Sequence, residues 1–180
     1  EQMRRALEAQ GCPPEKIEIV RLGVDLGRFD VTRTSQTGPL RVRPLIEAIT
    51  GSVQRTFGRP IDIEVQGGPS HRFALPEAES IPIALTINEL LTNAIKHSRS
   101  GPVTCRLHCD EAAVTIAITS TGRLREGFSL AQVPPGVSGL GLVRALLPRR
   151  SASLSLQQDG DLVRAEVRLL PPSFHGLAPR

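Results

Sequence analysis

At 180 residues, with 39% of them hydrophobic, 22% charged, 16 Gly and 15 Pro, the chain has the make-up of one globular domain with a real core and loop-rich margins. Its net charge of +4 is scattered from Arg4 to Arg180, and the lack of Trp and Tyr leaves little to stack bases on, which argues against nucleic-acid binding. No apolar run is long enough to span a membrane, no stretch reads as a signal peptide, and Cys12, Cys105 and Cys109 offer neither a disulfide framework nor a zinc-ligand pair, so a reducing cytoplasm fits.

Residues Glu1 to Gln10 predict a short helix with Met3, Ala6 and Leu7 on its apolar edge, stopped by Gly11-Cys12-Pro13-Pro14. Leu7 through Phe29, with Gly11, Pro13, Lys16-Ile17, Val20 and Gly23-Val24-Asp25, resembles the interdomain segment of retaining, two-domain glycosyltransferases that use nucleotide sugars. The resemblance implies a glycosyltransferase fragment or a fused remnant, and a chance likeness stays open beside them. It covers under a fifth of the chain, gives Asp25 no catalytic role, and has no nucleotide-sugar domain downstream. Thr32 to Gly38 is polar and turn-rich and reads as a linker, so residues 1–38 form an N-terminal segment, the main domain covers 39–172, and 173–180 are a tail.

Pro44 to Phe57 predicts a helix with Leu45, Ile46, Ile49, Val53 and Phe57 on one face, closed by Gly58-Arg59-Pro60. Ile61 to Val65 alternates as a strand, Gly67-Gly68-Pro69-Ser70 is a turn, and His71 to Leu75 can return as the second arm of a hairpin. In Ile81 to Ser98, Ile83, Ile87, Leu90, Leu91, Ala94 and Ile95 recur at helical spacing. Ser80 is the expected cap and Pro82 falls in the first turn. Glu89, Asn93 and Lys96 share the polar edge of that helix, which by itself is also what a solvated helix face carries.

Val103 to His108 and Ala113 to Thr119 read as an antiparallel pair around Asp110-Glu111, with Cys105 and Cys109 on one face as small buried hydrophobes. Ser120-Thr121-Gly122 ends the pair. Arg123 to Ser138 has little periodicity, after which Gly139-Leu140-Gly141 leads into a helix over Leu142 to Leu147. Ala152 to Gln157 and Leu162 to Leu170 form a hairpin across Asp159-Gly160, and a disordered tail is expected from Pro171.

Asn88-Glu89-Leu90-Leu91-Thr92-Asn93-Ala94-Ile95-Lys96-His97-Ser98 resembles the N box of the ATPase superfamily that contains gyrase, mismatch-repair ATPases and sensor histidine kinases, the last being nearest in wording. Gly136-Val137-Ser138-Gly139-Leu140-Gly141-Leu142-Val143 resembles the second glycine box of the same ATPases, following a flexible lid; without a Cβ its backbone N–H groups can approach phosphate oxygens closely. The resemblance implies an α/β two-layer sandwich, a mixed and mostly antiparallel sheet with helices on one face, of the Bergerat ATP-binding type. It implies ATP and Mg²⁺ as cofactors, Asn93 as metal ligand, Glu89 as general base, and Lys96 on a phosphate. His97 either caps its helix or touches the nucleotide, and Gly122, Gly136, Gly139, Leu140, Gly141 and Leu142 line the nucleotide. The activity implied is that of a two-component sensor histidine kinase catalytic domain, passing the γ-phosphoryl of ATP to a histidine on a dimerisation domain not in this chain, with a response regulator downstream. On that reading the sequence is a fragment.

The departure lies in the first glycine box. Where the family carries Asp-x-Gly, with the carboxylate accepting from the adenine amino group, this chain has Ser120-Thr121-Gly122, and no Asp lies between Asp110 and Asp159. Ser120 can accept the same hydrogen bond as a neutral group. A nucleotide-binding or protein-interaction module without kinase activity is the alternative it favours. His71, His108 and His175 lie outside any helix of phosphoacceptor type and read as ordinary surface or strand residues.

Overall fold

The computed structural model describes residues 40–136, 139–148, 150–171 and 173–176. The expected N-terminal helix, the glycosyltransferase-like stretch and the linker all lie outside these residues. Among those described, the chain runs β1 (Leu40–Arg41), α1 (Val42–Phe57), β2 (Ile61–Gly67), β3 (Phe73–Leu75), α2 (Glu77–His97), β4 (Val103–Cys109), β5 (Val114–Thr121), α3 (Gly139–Leu146), β6 (Ala152–Asp159), β7 (Leu162–Leu169) and β8 (His175–Gly176). The main sheet has the order β2-β4-β5-β7-β6, in which β2 and β4 are parallel and the other neighbours antiparallel. This is the mixed, mostly antiparallel α/β sandwich that the sequence implies.

Alternation builds the two layers. On one face of the sheet Val103, Cys105, Leu107 and Cys109 of β4, Val114, Ile116 and Ile118 of β5, and Ala165, Val167 and Leu169 of β7 join one core with the helices. Leu45, Ile46, Ile49 and Val53 from α1 and Ile83, Ile87, Leu90, Leu91 and Ile95 from α2 fill the other side of it. Phe57, expected on the same stripe, is 36% exposed and lies under the ammonium of Lys96 instead, 6.0 Å from nitrogen to ring centroid. The opposite sheet face carries Thr104, Arg106, Thr115, Arg164, Glu166 and Arg168, with an ion pair of 2.7 Å between Arg106 and Glu64 of the neighbouring strand.

The expected hairpin between Ile61–Val65 and His71–Leu75 does not form. Ile61 to Gly67 pairs in parallel with Val103 to Cys109, because α2 carries the chain back so that β4 starts where β2 started. Gly67, at φ 88°, turns the chain out of the strand, and a Cβ there would stand 2.4 Å from the Cys109 carbonyl oxygen. Phe73 to Leu75 instead forms the centre of a small sheet between β1 and β8. The disordered tail expected from Pro171 is corrected by the same sheet: Ser173 and Phe174 are buried, His175–Gly176 pairs with Phe73 and Ala74, and the Phe73 and Phe174 rings meet at 5.7 Å. Ser173 Oγ also reaches Ser151 Oγ at 2.6 Å in the interior.

Two helix starts differ from their sequence reading. Helix α2 begins at Glu77 after Pro76 rather than at a Ser80 cap, so Pro82 sits in the second turn, where it offers no N–H to the carbonyl four residues earlier. Helix α3 begins at Gly139, so Gly139, Leu140 and Gly141 are its first turn rather than its approach. The two later hairpins follow the expected turns. Asp110 Oδ1 accepts from the N–H groups of Ala112 and Ala113 at 2.8 and 2.7 Å, which holds its carboxyl below the usual range and closes β4 onto β5.

Cys105 and Cys109 are fully buried, and burial pushes both thiols up to about 11. In a Cys12→Ser background the folded chain should therefore leave a thiol reagent such as DTNB unreacted at pH 8 and release two equivalents on denaturation. Because both values are raised, the stability tied to these thiols is complete below about pH 9, the ordinary thiol range, and falls away as the pH climbs toward about 11.

Candidate functional site

Helix α2 is apolar around most of its middle, where Ile83, Ala84, Leu85, Ile87 and Leu90 are all buried. Its polar edge opens only further along, at Glu89 and Asn93, which are half-buried, and at Lys96 and His97, which are exposed. The edge exists because residues four apart stack along a helix, so that the core stripe and these polar groups occupy different sides. Neither the Glu89 carboxylate nor the Asn93 amide makes a hydrogen bond or ion pair with another described residue. Both are free to meet a ligand. Lys96 is turned toward Phe57 at the end of α1.

The C-terminus of α2 is fixed from two directions. Arg59, in the connection after α1, donates to the Ile95 carbonyl at 2.8 Å, to Ser98 Oγ at 2.6 Å and to the Gly101 carbonyl at 2.9 Å. The guanidinium thus takes up a helix-end carbonyl that has no partner within the helix, and its positive charge meets the negative end of the helix dipole. Of the two roles open to His97, capping is filled by Arg59; the His97 imidazole is exposed and bonds no carbonyl among the described residues. From the other side, the Thr121 carbonyl accepts from the Arg99 N–H at 3.1 Å. The Ser100 N–H reaches Thr121 Oγ1 at 3.2 Å, and the Thr121 hydroxyl donates in turn to the Ser100 carbonyl.

These bonds bring the end of β5 against the end of α2. Gly122 is buried there, and a Cβ on it would stand 3.3 Å from the His97 carbonyl oxygen. Ser120 continues the inward-facing series of Val114, Ile116 and Ile118, and is 7% exposed. Its hydroxyl has no hydrogen-bond partner among the described residues. Two side chains from the β6–β7 hairpin hold the exit from β5: Arg123 pairs with Asp161 at 3.1 Å, and Gln158 accepts from the Leu124 N–H at 2.7 Å while donating to the Gly122 carbonyl at 3.1 Å.

Helix α3 packs on α2 and brings the glycine-rich turn to the same edge. Gly141 is buried under the preceding loop, where a Cβ would stand 2.8 Å from the Pro134 carbonyl oxygen and 2.9 Å from the Gly136 nitrogen. Glycine is required there because another stretch of backbone, at minimum, occupies the space of a side chain. Leu140 and Leu142 are half-buried beside it, and Leu140 packs onto the core. Gly139 adopts φ 59°, the left-handed region. The structure thus gathers Glu89, Asn93, Ser120, Gly122, Gly136, Gly139, Leu140, Gly141 and Leu142 onto elements that pack around α2, and sets Lys96 aside on Phe57.

Sequence reasoning missed Arg59 and Gln158, neither of which belongs to a local motif, and gave no role to Thr121, the middle residue of the Ser120-Thr121-Gly122 stretch. A cavity of about 350 Å³ at the C-terminus of α1, lined by Gly51, Gln54, Arg55, Gly58, Arg59 and Pro60, contains none of the candidate nucleotide-site residues. No group of three or more His, Cys, Asp or Glu side chains among the described residues is placed to hold a metal ion, so a cation at this edge would rely on few protein oxygens. No helix among the described residues is long and apolar enough to cross a membrane.

No protein-family model and no curated protein sequence matches the chain. Solved structures do. The histidine kinase domain of the Erythrobacter litoralis EL346 blue-light activated histidine kinase superposes with a TM-score of 0.62 at 18% identity, over 94% of this chain and 82% of that one. The Acinetobacter baumannii histidine kinase AdeS gives 0.53 at 13% identity, over 95% and 93%. Full-length ShkA, solved in complex with AMPPNP, gives 0.53 at 16% identity, over 88% of this chain and 36% of that one. The chain has the fold of histidine kinase catalytic domains.

Replacing Arg59 by Ala should cost about 1–3 kcal/mol, the range for losing hydrogen bonds from a charged donor at a half-buried site. Denaturant unfolding checks it. Amide exchange in 95–101 should rise more than in β4, whereas a uniform rise would mean that Arg59 does not act on the helix end.

Proposed function

We propose that this chain binds ATP with Mg²⁺ and serves as the catalytic domain of a two-component sensor histidine kinase, passing the γ-phosphoryl group to a histidine outside the chain. The observation that carries the reading is the pair of unpartnered oxygen-bearing side chains, Glu89 and Asn93, on the edge of a helix whose surroundings have the histidine-kinase catalytic fold. The likeness to ShkA, solved with AMPPNP, adds support. The domain runs from residue 39 to about 172, and the Ser173–Gly176 segment completes its small sheet.

The residues present fit a magnesium nucleotide. Mg²⁺ keeps much of its water and takes one or two protein oxygens together with phosphate oxygens, which suits an edge offering Asn93 and lacking an all-protein cage. When bound, the ion neutralises charge on the phosphate oxygens. The Asn93 side-chain oxygen would hold it. Glu89, one turn before Asn93, accepts the proton from the N–H of the acceptor imidazole as the other ring nitrogen forms the N–P bond and the bond to the ADP oxygen breaks. Gly122 lets the end of β5 lie close to the nucleotide. Gly136, Gly139, Leu140, Gly141 and Leu142 enclose its phosphates, and Lys96 swings from Phe57 to meet them, as an exposed lysine can at low cost. His97 lies next to Lys96 at the end of the same helix.

Ser120 takes the position of the adenine acceptor. Its hydroxyl is nearly buried, faces the helix layer and has no partner among the described residues, so a ligand amino group could satisfy it. Being neutral, it should hold adenine more weakly than a carboxylate and discriminate less against guanine. The same substitution favours a second reading, a nucleotide-binding or protein-interaction module that carries out no phosphotransfer. On the first reading, the partners are a dimerisation domain carrying the phosphoacceptor histidine and a response regulator, in the cytoplasm.

Titration with a fluorescent ATP analogue, with and without Mg²⁺, tests both readings. The parent should bind in a Mg²⁺-dependent manner and Asn93→Ala should lose most of that dependence; equal affinity of the two in Mg²⁺ would remove Asn93 from the metal site. Ser120→Asp should tighten ATP roughly tenfold, about 1.4 kcal/mol, and leave GTP unchanged or weaker. If that variant weakens ATP, or no form binds it, the second reading stands. Labelled ATP should leave the isolated chain unlabelled, and acid-labile label on His71, His108 or His175 would contradict transfer in trans.

A further inference from the structure

Arg144 belongs to none of the motifs read from the sequence. It lies on α3 three residues after Gly141, so the two share one face of the helix. From there its Nη1 donates to the Ala131 carbonyl at 3.0 Å and to the Val133 carbonyl. The first of these carbonyls lies within the 3-10 turn Leu130–Gln132, between β5 and α3, and the second belongs to the residue just after it. Among the described residues no carboxylate pairs with Arg144, so its charge is directed at main-chain oxygens, where a charged donor makes a stronger bond than a neutral one.

The loop is therefore attached to α3 twice, by side chain at Arg144 and by close backbone packing of Pro134 and Gly136 over Gly141. We propose that Arg144 is a positioning residue: it latches residues 130–136 to α3, so that the loop and the glycine-bearing first turn of the helix close over the nucleotide as one unit. A loop free of the helix would have to be ordered residue by residue on each binding event, whereas a latched one is ordered beforehand. This rests on the nucleotide-site reading above, since a latch alone does not require a nucleotide.

Arg144→Ala and Arg144→Lys, each in the full chain, separate the two ideas. Without ligand, the amides of Gln132 and Val133, which bond to the Ser129 and Leu130 carbonyls, should exchange about tenfold faster in the Ala variant, with β4, β5 and β7 unchanged. Affinity for the fluorescent ATP analogue in Mg²⁺ should fall by a similar factor, and the Lys variant, which keeps a charged donor, should recover part of both. Unchanged exchange at Gln132 and Val133 would overturn the latch. Faster exchange with parental affinity would overturn the positioning role. Should the parent chain itself bind no nucleotide, the nucleotide reading and the positioning role fall together, and the exchange measurement then decides the latch alone.

Discussion

Three hydrogen bonds from one guanidinium fix the end of the helix that carries the polar edge. Arg59 ties the last turn of α2 to the loop after it, at Ile95, Ser98 and Gly101, and Thr121 at the end of β5 holds the same loop from the other side. Because Glu89 and Asn93 lie within two turns of that anchored end, their height over the sheet is fixed by it. Free rotation of α2 is blocked by its core stripe, Ile83, Ile87, Leu90, Leu91 and Ile95. Burial thus sets which way the polar edge faces, and the end clamp sets where along the sheet it sits.

Local pattern carried the sequence reading where physics is local. The period of the apolar residues in α1 and α2, the Asp110 and Asp159-Gly160 turns, and the glycines before Leu142 all act within a few residues, and each element was found within a few residues of its observed bounds. Parallel pairing of β2 with β4 was not legible, because the partner strand lies beyond a helix and β-alternation reads the same for a hairpin arm and a crossover strand. The burial of Phe174 was hidden for a similar reason: a single aromatic residue in a Pro-containing tail gives no period, and its partner Phe73 lies about a hundred residues upstream.

The candidate site divides in the same way. Glu89, Asn93 and the glycine pair could be read because a motif places them on one helix or turn. Arg59, Gln158 and Arg144 could not, since each acts by reaching a backbone carbonyl of a different element, and an arginine or glutamine in sequence does not announce which carbonyl it will meet. Lys96 has a motif position that implies a phosphate contact, and in the structure its ammonium rests 6.0 Å from the Phe57 ring centroid.

The central claim is that α2, the end of β5 and the start of α3 form one nucleotide site. Amide chemical shifts of the isotopically labelled chain, recorded as AMPPNP and Mg²⁺ are added, test it most directly. The account predicts that the perturbed amides cluster at 88–97, 119–124 and 130–142, while the outer-face amides around Arg106, Arg164 and Arg168 stay in place. Perturbations centred on that outer face, or on the cavity at the end of α1, would contradict it.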